Sequence, residues 1–212
     1  MRKVTGAVVL AGLAAIVLSM VPVADAAAAA QKPGIFGIWL GIGRNSPNFA
    51  KWKNKPNAPT PEFTAWGAQQ SREQGRLGVE LPTPGACEPV NPAQFVGGGL
   101  FPNQILDGGN QIVLMNEWQA VPRRIYTDGR KHPAADDLVP TWEGHSVGRW
   151  EGDTLVVDVD HFNDRAWFDR AGNFHSDALK LQERYTLRTP DLIWYEATIE
   201  DPKVFTRSWK IA

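Results

Sequence analysis

Cysteine is almost absent from this sequence. The 212 residues contain one, Cys87, so no disulfide can form within the chain and the fold must be held together by its packed core. Cys87 lies between Pro84 and Pro89, and such proline-rich surroundings are typical of a loop. We interpret Cys87 as a partly buried small apolar residue, and a reactive thiol is the alternative interpretation.

An excess of charge of either sign is also lacking. The chain has 22 Lys and Arg residues against 23 Asp and Glu residues, a net charge of −1 with histidine neutral. Because nucleic acids and anionic membranes select strongly basic surfaces, this balance argues against either as a partner. We expect a small hydrophobic molecule as the partner, no nucleic acid, and no stable membrane insertion once a signal segment is removed. The sequence leaves open whether the chain forms an oligomer.

Motifs of the common cofactor sites are missing as well. The sequence has no H-E-x-x-H, H-x-H or C-x-x-C spacing, so no metal site is indicated, although ligands drawn from separate loops stay possible. The triple glycine at 97–99 is not followed by Lys-Ser or Lys-Thr, which argues against a phosphate-binding loop. We therefore expect no cofactor.

The first 26 residues predict an exported protein. Arg2 and Lys3 supply a positive start, residues 4–23 are almost wholly apolar, and Ala24-Asp25-Ala26 fits the A-x-A pattern at which signal peptides are cleaved. The apolar stretch is long enough for an uncleaved anchor, but its small residues favour cleavage. We expect a cleaved signal peptide at 1–26 and a periplasmic or secreted protein.

After the signal peptide, the pattern predicts a single domain in two stretches. Residues 27–103 hold an N-terminal arm, a first strand, a short helix over 61–75 and Pro- and Gly-rich loops. Thr60 is suited to cap this helix and Gly75 to end it. Residues 104–212 are expected to form an antiparallel β meander of the same domain.

Period-two alternation predicts strands throughout the second stretch. Glu151-Gly152-Asp153 and Thr189-Pro190-Asp191 are turn sequences between two such runs, so each predicts a hairpin. Because strands joined by short turns pair antiparallel and open edges must be covered, we expect a mainly β fold. This fold is an antiparallel lipocalin-like barrel or sandwich with one short N-terminal helix. The predicted strands are 111–118, 123–127, 145–150, 154–160, 179–188, 192–200 and 204–211.

Polar side chains are concentrated between residues 126 and 184, which include all four histidines: His132, His145, His161 and His175. The chain contains in order the strings TDGR-HP, PTW-G-SVGRWEGDTLVVD, FND, HSDAL, ERY and a closing DP. Over about residues 35–211, the chain resembles a family of exported bacterial proteins that share these strings. The resemblance implies export together with a single-domain architecture, and it implies no particular activity.

Five residues of this region are predicted to form a catalytic site. His145 begins a strand beside aromatic and acidic residues and is suited to carry a proton near neutral pH. Alternation places Glu183 on the same strand face as Leu181 and Tyr185, so its carboxylate is either a buried acid or base or half of an ion pair with an arginine such as Arg149 or Arg184. The predicted catalytic residues are His145, Asp164, Asp177, Glu183 and Arg149, with Asp164 or Asp177 as the partner of His145 and Arg149 or Arg130 holding developing negative charge.

Aromatic side chains among these residues predict a ligand pocket. Polar groups that converge on apolar surface are typical of ligand sites, although an ordinary core position explains any single tryptophan equally well. The predicted ligand-binding residues are Trp142, Trp150, Trp167, Arg130, His175 and Tyr185.

Two functions from different classes stay open at this point. One is an exported cofactor-independent enzyme, a lyase, isomerase or hydrolase, that acts on a small hydrophobic or carbonyl-bearing molecule by His/Asp acid–base chemistry. The other is a periplasmic lipocalin-like binding or carrier protein for a small hydrophobic ligand. The density of titratable residues favours the enzyme, and the lack of a complete catalytic signature favours the carrier.

Overall fold

The computed structural model describes residues 34–40, 62–77, 89, 91–93, 101–117, 119–166, 168 and 174–211. The predicted signal peptide at 1–26, Cys87 and Trp167 lie outside these residues. Within the described part, no helix is long and apolar enough to cross a membrane.

Nine strands and an α-helix at Ala65–Leu77 are found among the described residues, which confirms the mainly β class. The strands of the two predicted hairpins match the prediction within one residue, whereas the strand predicted at 123–127 begins at Gln119. The strand at 102–107 was not predicted, because prolines and glycines around it indicate a loop. The elements are β1 (Gly37–Leu40), α1 (Ala65–Leu77), β2 (Pro102–Asp107), β3 (Gln111–Asn116), β4 (Gln119–Tyr126), a 3-10 turn (Ala135–Asp137), β5 (His145–Glu151), β6 (Thr154–Asp160), β7 (Lys180–Thr189), β8 (Leu192–Glu200) and β9 (Trp209–Ile211).

The nine strands form one sheet in which the order of the strands follows the chain. Neighbouring strands are antiparallel, as predicted, except β4 and β5, which run parallel with Ile125 opposite Ser146 and Tyr126 opposite Val147. A parallel pair requires the chain to cross from one end of the sheet to the other. Residues 127–144 make this crossing, and we call them the crossing segment.

The sheet curls into a half-barrel, and one of its faces carries the hydrophobic core. Alternate residues of each strand point to that face, here called the core face, and the residues between them point to the outer face. In β5, Ser146 and Gly148 are buried on the core face, whereas His145 and Arg149 lie on the outer face. The buried core includes Ile105, Ile112, Leu114, Ile125, Leu155, Val157, Val159, Leu181 and Ile199.

Helix α1 begins at Ala65, four residues later than predicted, because a different threonine caps it. The hydroxyl oxygen of Thr64 accepts a hydrogen bond from the Gly67 N–H at 3.0 Å, and the Thr64 N–H donates to the Val204 carbonyl at 2.9 Å. A Cβ atom on Gly67 would lie 2.3 Å from that same carbonyl oxygen, so glycine allows the helix to pack this close. The predicted cap, Thr60, lies outside the described residues.

The chain between β8 and β9 is not extended, so the predicted strand over 204–211 is too long. Only Trp209–Ile211 pair with β8. The preceding turn is closed by Asp201, whose carboxylate accepts hydrogen bonds from the backbone N–H groups of Lys203 and Val204, each at 3.2 Å. Local bonds from a side chain to the backbone therefore replace strand pairing here.

Candidate functional site

Three histidines and one aspartate meet on the outer face, at the end of the sheet where β5 begins and β6 ends. Antiparallel pairing of these strands places His145 directly opposite Asp160. His161 follows Asp160 in the chain, and the crossing segment brings His132 to the other three. We call His132, His145, Asp160 and His161 the histidine cluster.

The polar atoms of the histidine cluster are in direct contact. Nδ1 of His132 lies 2.8 Å from Nδ1 of His145 and 2.7 Å from Oδ1 of Asp160. Nδ1 of His161 lies 2.5 Å from the same carboxylate oxygen. The side chains of His132 and Asp160 are 22% and 25% exposed. A small molecule or ion can therefore reach the cluster from solvent, while its polar atoms are partly shielded from bulk water.

Close backbone contacts hold the cluster together. Gly144 has a φ of +66°, and a Cβ atom there would lie 2.5 Å from the carbonyl oxygen of Asp160. The Thr141 N–H donates to the His161 carbonyl at 3.1 Å. His161 itself has a φ of +58°, a left-handed conformation that is uncommon for a residue other than glycine. Such a conformation persists only where the surrounding structure holds it, and it is found preferentially at functional sites.

An aromatic ring and a guanidinium lie beside the cluster. The Tyr126 ring stacks on the His145 ring with centroids 5.4 Å apart and planes at 26°. The guanidinium of Arg130 lies 3.8 Å from the centroid of the Tyr126 ring. Asp128 holds Arg130 by an ion pair at 2.6 Å, and the hydrogen bond from Arg130 lowers the pKa of Asp128 to about 2. Arg130, one of the predicted ligand-binding residues, is thus placed next to the histidine cluster.

The surroundings shift the pKa values of two imidazoles of the cluster in opposite directions. Partial burial lowers the pKa of His145, His132 lowers it further, and Asp160 opposes both effects. The hydrogen bond to Asp160 raises the pKa of His161. At neutral pH, His145 therefore offers a ring-nitrogen lone pair close to a carboxylate.

Three residues of the cluster bring potential metal-ligand atoms close together. One ligand atom from each of His132, His145 and Asp160 lies within 4.8 Å of the other two. Imidazole nitrogen and carboxylate oxygen are ligands of Zn²⁺ and other divalent transition metals. The spacing of the sequence does not indicate this group, because its members come from the crossing segment and from two strands.

Glu183 is buried on the core face, as the alternation predicts, and its partner is Arg123 of β4. The guanidinium donates to both carboxylate oxygens, and the hydroxyls of Tyr185 and Tyr195 donate to Oε1 at 3.0 and 2.9 Å. The Ser146 oxygen accepts two further bonds from the guanidinium at 2.9 and 3.2 Å. Both buried charges are hydrogen-bonded, which is the arrangement of a structural ion pair.

The arginines considered as partners of Glu183 lie on the outer face instead. Arg149 and Arg184 both pair with Glu151 there, at 3.1 and 3.0 Å. Alternation within β5 and β7 places both side chains on the face of the sheet that points away from the core. His145 and Arg149 thus share the outer face while Glu183 lies on the core face, so the predicted catalytic residues do not form one site.

The two aspartates predicted to partner His145 also lie elsewhere. Asp177 is exposed and forms an ion pair with Lys203 at 2.5 Å, and Asp164 is exposed. In the part of the chain that the structure describes, no hydrogen bond joins either carboxylate to His145. The carboxylate opposite His145 is that of Asp160, because the β5–β6 hairpin sets this register.

The remaining predicted ligand-binding residues make separate contacts. His175 is buried, its Nδ1–H donates to the Ser176 carbonyl at 3.0 Å, and burial lowers its pKa. Trp150 packs edge-on against Phe36 with ring centroids 6.4 Å apart. The Arg165 guanidinium lies 5.8 Å from the Trp142 ring, and Tyr185 belongs to the Glu183 network. These contacts, as far as the structure describes them, do not join the residues into one pocket.

One sequence pattern in this region is misleading. Residues 144–148 read G-x-S-x-G, the pattern of a nucleophile elbow, in which a serine lies on a turn between a strand and a helix. Ser146 lies instead within β5, is 2% exposed and accepts hydrogen bonds from Arg123. Because adjacent strand residues point to opposite faces, its hydroxyl is also directed away from the His145 ring. This geometry excludes Ser146 as an elbow nucleophile.

No protein-family model matches this chain, and neither a curated protein nor a solved structure is significantly similar to it. The resemblance to exported bacterial proteins in the motif strings therefore stays a prediction. The function has to be argued from the geometry of the histidine cluster.

Proposed function

We propose that this protein is an exported enzyme, a lyase, isomerase or hydrolase, that acts on a small hydrophobic or carbonyl-bearing molecule at the histidine cluster. The observation that supports this is the contact of His132 with His145 and Asp160 on the outer face, at 2.8 and 2.7 Å. The hydrophobic core lies on the other face and does not require these groups, and partial desolvation of imidazoles and a carboxylate costs free energy. Clusters of polar groups that are partly desolvated in this way are characteristic of sites that bind or transform a ligand.

The surroundings of the cluster are suited to a carbonyl compound. The Arg130 side chain is 44% exposed and can donate to a carbonyl or carboxylate oxygen. The Tyr126 ring, stacked on His145, offers apolar surface to the rest of a small molecule. An oxygen-binding cation, an apolar surface and a polar reaction centre therefore lie side by side on the outer face.

Replacement of His145 is expected to abolish turnover. We expect His145→Asn in the full-length protein to lower kcat/KM by about 100-fold or more, because a group of the reaction centre is lost. A panel of small esters, lactones and hydroxy acids supplies the substrates, and circular dichroism checks that the variant is folded. Asp136→Asn, in the exposed turn of the same crossing segment, is the matched control and should leave turnover unchanged. Full turnover by folded His145→Asn would remove the cluster as the site.

A binding or carrier function is the second candidate, and two buried indole groups favour it. Nε1 of Trp142 and Nε1 of Trp150 are buried without a hydrogen-bond partner among the described residues, so each can donate to a ligand. A lipophilic molecule that quenches tryptophan fluorescence and is recovered unchanged, with the same affinity for His145→Asn, would support the carrier. Chemical change of that molecule by the wild type, but not by the variant, would support the enzyme.

Export is part of the proposal and rests on the predicted signal peptide. In a bacterial host, we expect the protein in the periplasm or the medium, with an N terminus close to Ala27 after cleavage. Cell fractionation and N-terminal sequencing measure this. Full-length protein confined to the cytoplasm would contradict it.

A further inference from the structure

We infer that the histidine cluster binds a divalent transition-metal ion of the zinc class, with His132, His145 and Asp160 as its ligands. The inference rests on the site of the proposed function but not on the reaction proposed there. One ligand atom of each residue lies within 4.8 Å of the other two, and the three come from separate parts of the chain. Two imidazole nitrogens and one carboxylate oxygen form a ligand set that occurs in catalytic zinc sites.

The distances in the cluster are close to those of a coordination shell. Ligand atoms of tetrahedral zinc, each about 2.0–2.1 Å from the metal, lie about 3.3–3.4 Å from one another. Nδ1 of His132 is 2.8 Å from Nδ1 of His145 and 2.7 Å from Oδ1 of Asp160. The ligand atoms of these two pairs therefore need to move apart by only about 0.5–0.7 Å to reach that spacing.

The two imidazole rings approach from different directions. The planes of His132 and His145 are 73° apart, and their ring centroids are separated by 5.0 Å. Their Nδ1 lone pairs can therefore be directed at one point along different lines, as a tetrahedral shell requires. Rings stacked in parallel at this distance could not do so.

The charges around the cluster favour a cation. Asp160 supplies a negative charge, while a metal-bound histidine is neutral. Arg130 is the cation on the rim, and its ion pair with Asp128 at 2.6 Å offsets its repulsion of a metal ion. The carboxylate is therefore the negative charge that attracts the ion, and the two imidazoles bind it as neutral ligands.

His161 is a positioning residue in this arrangement. Its Nδ1 lies 2.5 Å from Oδ1 of Asp160, and its Nε2 lies 3.4 Å from the Ala134 carbonyl in the crossing segment. The imidazole therefore holds the orientation of the carboxylate, as hydrogen-bond partners of metal ligands do. Three protein ligands leave one coordination position for water, the usual arrangement of catalytic zinc sites, and this links the inference to the proposed reaction.

Titration of the full-length protein with Zn²⁺ tests the inference. After dialysis against a chelator, we expect isothermal titration calorimetry to show one strong Zn²⁺ site, and Co²⁺ to give the visible absorption of a tetrahedral centre. His132→Ala and Asp160→Asn should weaken Zn²⁺ binding by about 100-fold or more, and His161→Asn by about 10–100-fold. Asp136→Asn, on the same segment as His132, should bind Zn²⁺ like the wild type.

The outcomes distinguish a failure of the inferred metal site from a failure of the proposed reaction. A wild-type protein that binds neither Zn²⁺ nor Co²⁺ would overturn the inference without the need for any variant. A folded His132→Ala with wild-type affinity would overturn it as well. Zn²⁺ binding without turnover of any substrate keeps the inference and removes the proposed function. Turnover by a protein that binds neither Zn²⁺ nor Co²⁺ keeps the proposed function and removes the inference.

Discussion

Arg123→Met is expected to lower the free energy of unfolding by about 3–5 kcal/mol. Arg123 and Glu183 are 1% and 0% exposed, so the variant leaves a buried carboxylate without its counter-charge. Tyr185 and Tyr195 still donate to this carboxylate, because burial and the carboxylate itself raise the pKa of both phenols. Two neutral donors do not replace a guanidinium, however. Urea unfolding followed by tryptophan fluorescence measures the loss.

Glu183→Gln is the companion variant, because it leaves the Arg123 guanidinium buried without its counter-charge. A deficit in Arg123→Met below about 1 kcal/mol would contradict this account.

The double variant Arg123→Met/Glu183→Gln measures the coupling of the pair. The glutamine carbonyl oxygen still accepts hydrogen bonds from the tyrosine hydroxyls, and methionine fills most of the space of the arginine stem. No unpaired charge is then buried, so the double variant should lose less stability than the sum of the two single variants, by about 1–3 kcal/mol. Strict additivity would show that the two charges do not stabilise each other.

Asp201→Ala is the second substitution with a large expected effect, a loss of about 3–4 kcal/mol in the free energy of unfolding. Asp201 is 1% exposed. Its carboxylate accepts hydrogen bonds from the Ser176 N–H at 2.6 Å, from the Ser176 hydroxyl at 2.8 Å, and from the N–H groups of Lys203 and Val204 at 3.2 Å. Alanine removes the side-chain acceptor of all four donors. The turn then keeps only the backbone hydrogen bonds from the Val204 and Phe205 N–H groups to the carbonyl of residue 201, at 3.1 and 2.8 Å in the wild type. Urea unfolding again provides the measurement.

Two further aspartate variants test whether the loss of stability is specific to the buried carboxylate of Asp201. Asp191→Ala removes an exposed carboxylate that accepts one hydrogen bond, from the Thr189 hydroxyl at 2.6 Å, and should change stability by no more than about 0.5 kcal/mol. Asp201→Asn keeps one acceptor oxygen but turns an NH₂ group towards donors, so its loss should be intermediate. Equal losses in Asp201→Ala and Asp191→Ala would show that the buried carboxylate does not hold the turn.

Three carboxylates of this protein, those of Glu183, Asp201 and Asp160, are of two kinds. Glu183 and Asp201 are fully buried, and hydrogen-bond donors from distant segments surround them. Asp160 is partly exposed, and its Oδ1 contacts the ring nitrogens of His132 and His161, groups that exchange protons or bind metals. The first kind holds the fold together, and the second is the kind we assign to the proposed function.

Local patterns predicted the hairpins and their faces well. The turn at 151–153 between two alternating runs predicts β5 and β6, but counting outward from these three residues places residue 145 opposite residue 159. In the structure Glu151 pairs with Thr154, so the turn has two residues and His145 lies opposite Asp160. The same alternation predicts that Glu183 faces the core. Arg123 could have been found in this way too, since it shares its strand face with Ile125, which is fully buried.

Other features were not predicted, because they depend on competition between two possible helix caps or on contacts between distant parts of the chain. Thr64 replaces Thr60 as the helix cap, because its N–H also pairs with the Val204 carbonyl, far along the chain. Arg123 reaches Glu183 across two intervening strands, which follows from the curl of the sheet and not from any local pattern. The prediction of an arginine such as Arg149 or Arg184 as the partner of Glu183 was wrong in these two residues for this reason.

By itself, the sequence determined the mainly β class, the hairpins and the face on which each strand side chain lies, because turn chemistry and period-two alternation act between near neighbours. Only the tertiary structure decided that residues 127–144 cross to a parallel strand and bring His132 to His145 and Asp160. Contacts of that kind depend on the path of the whole sheet. No pattern within a few residues of either histidine specifies them.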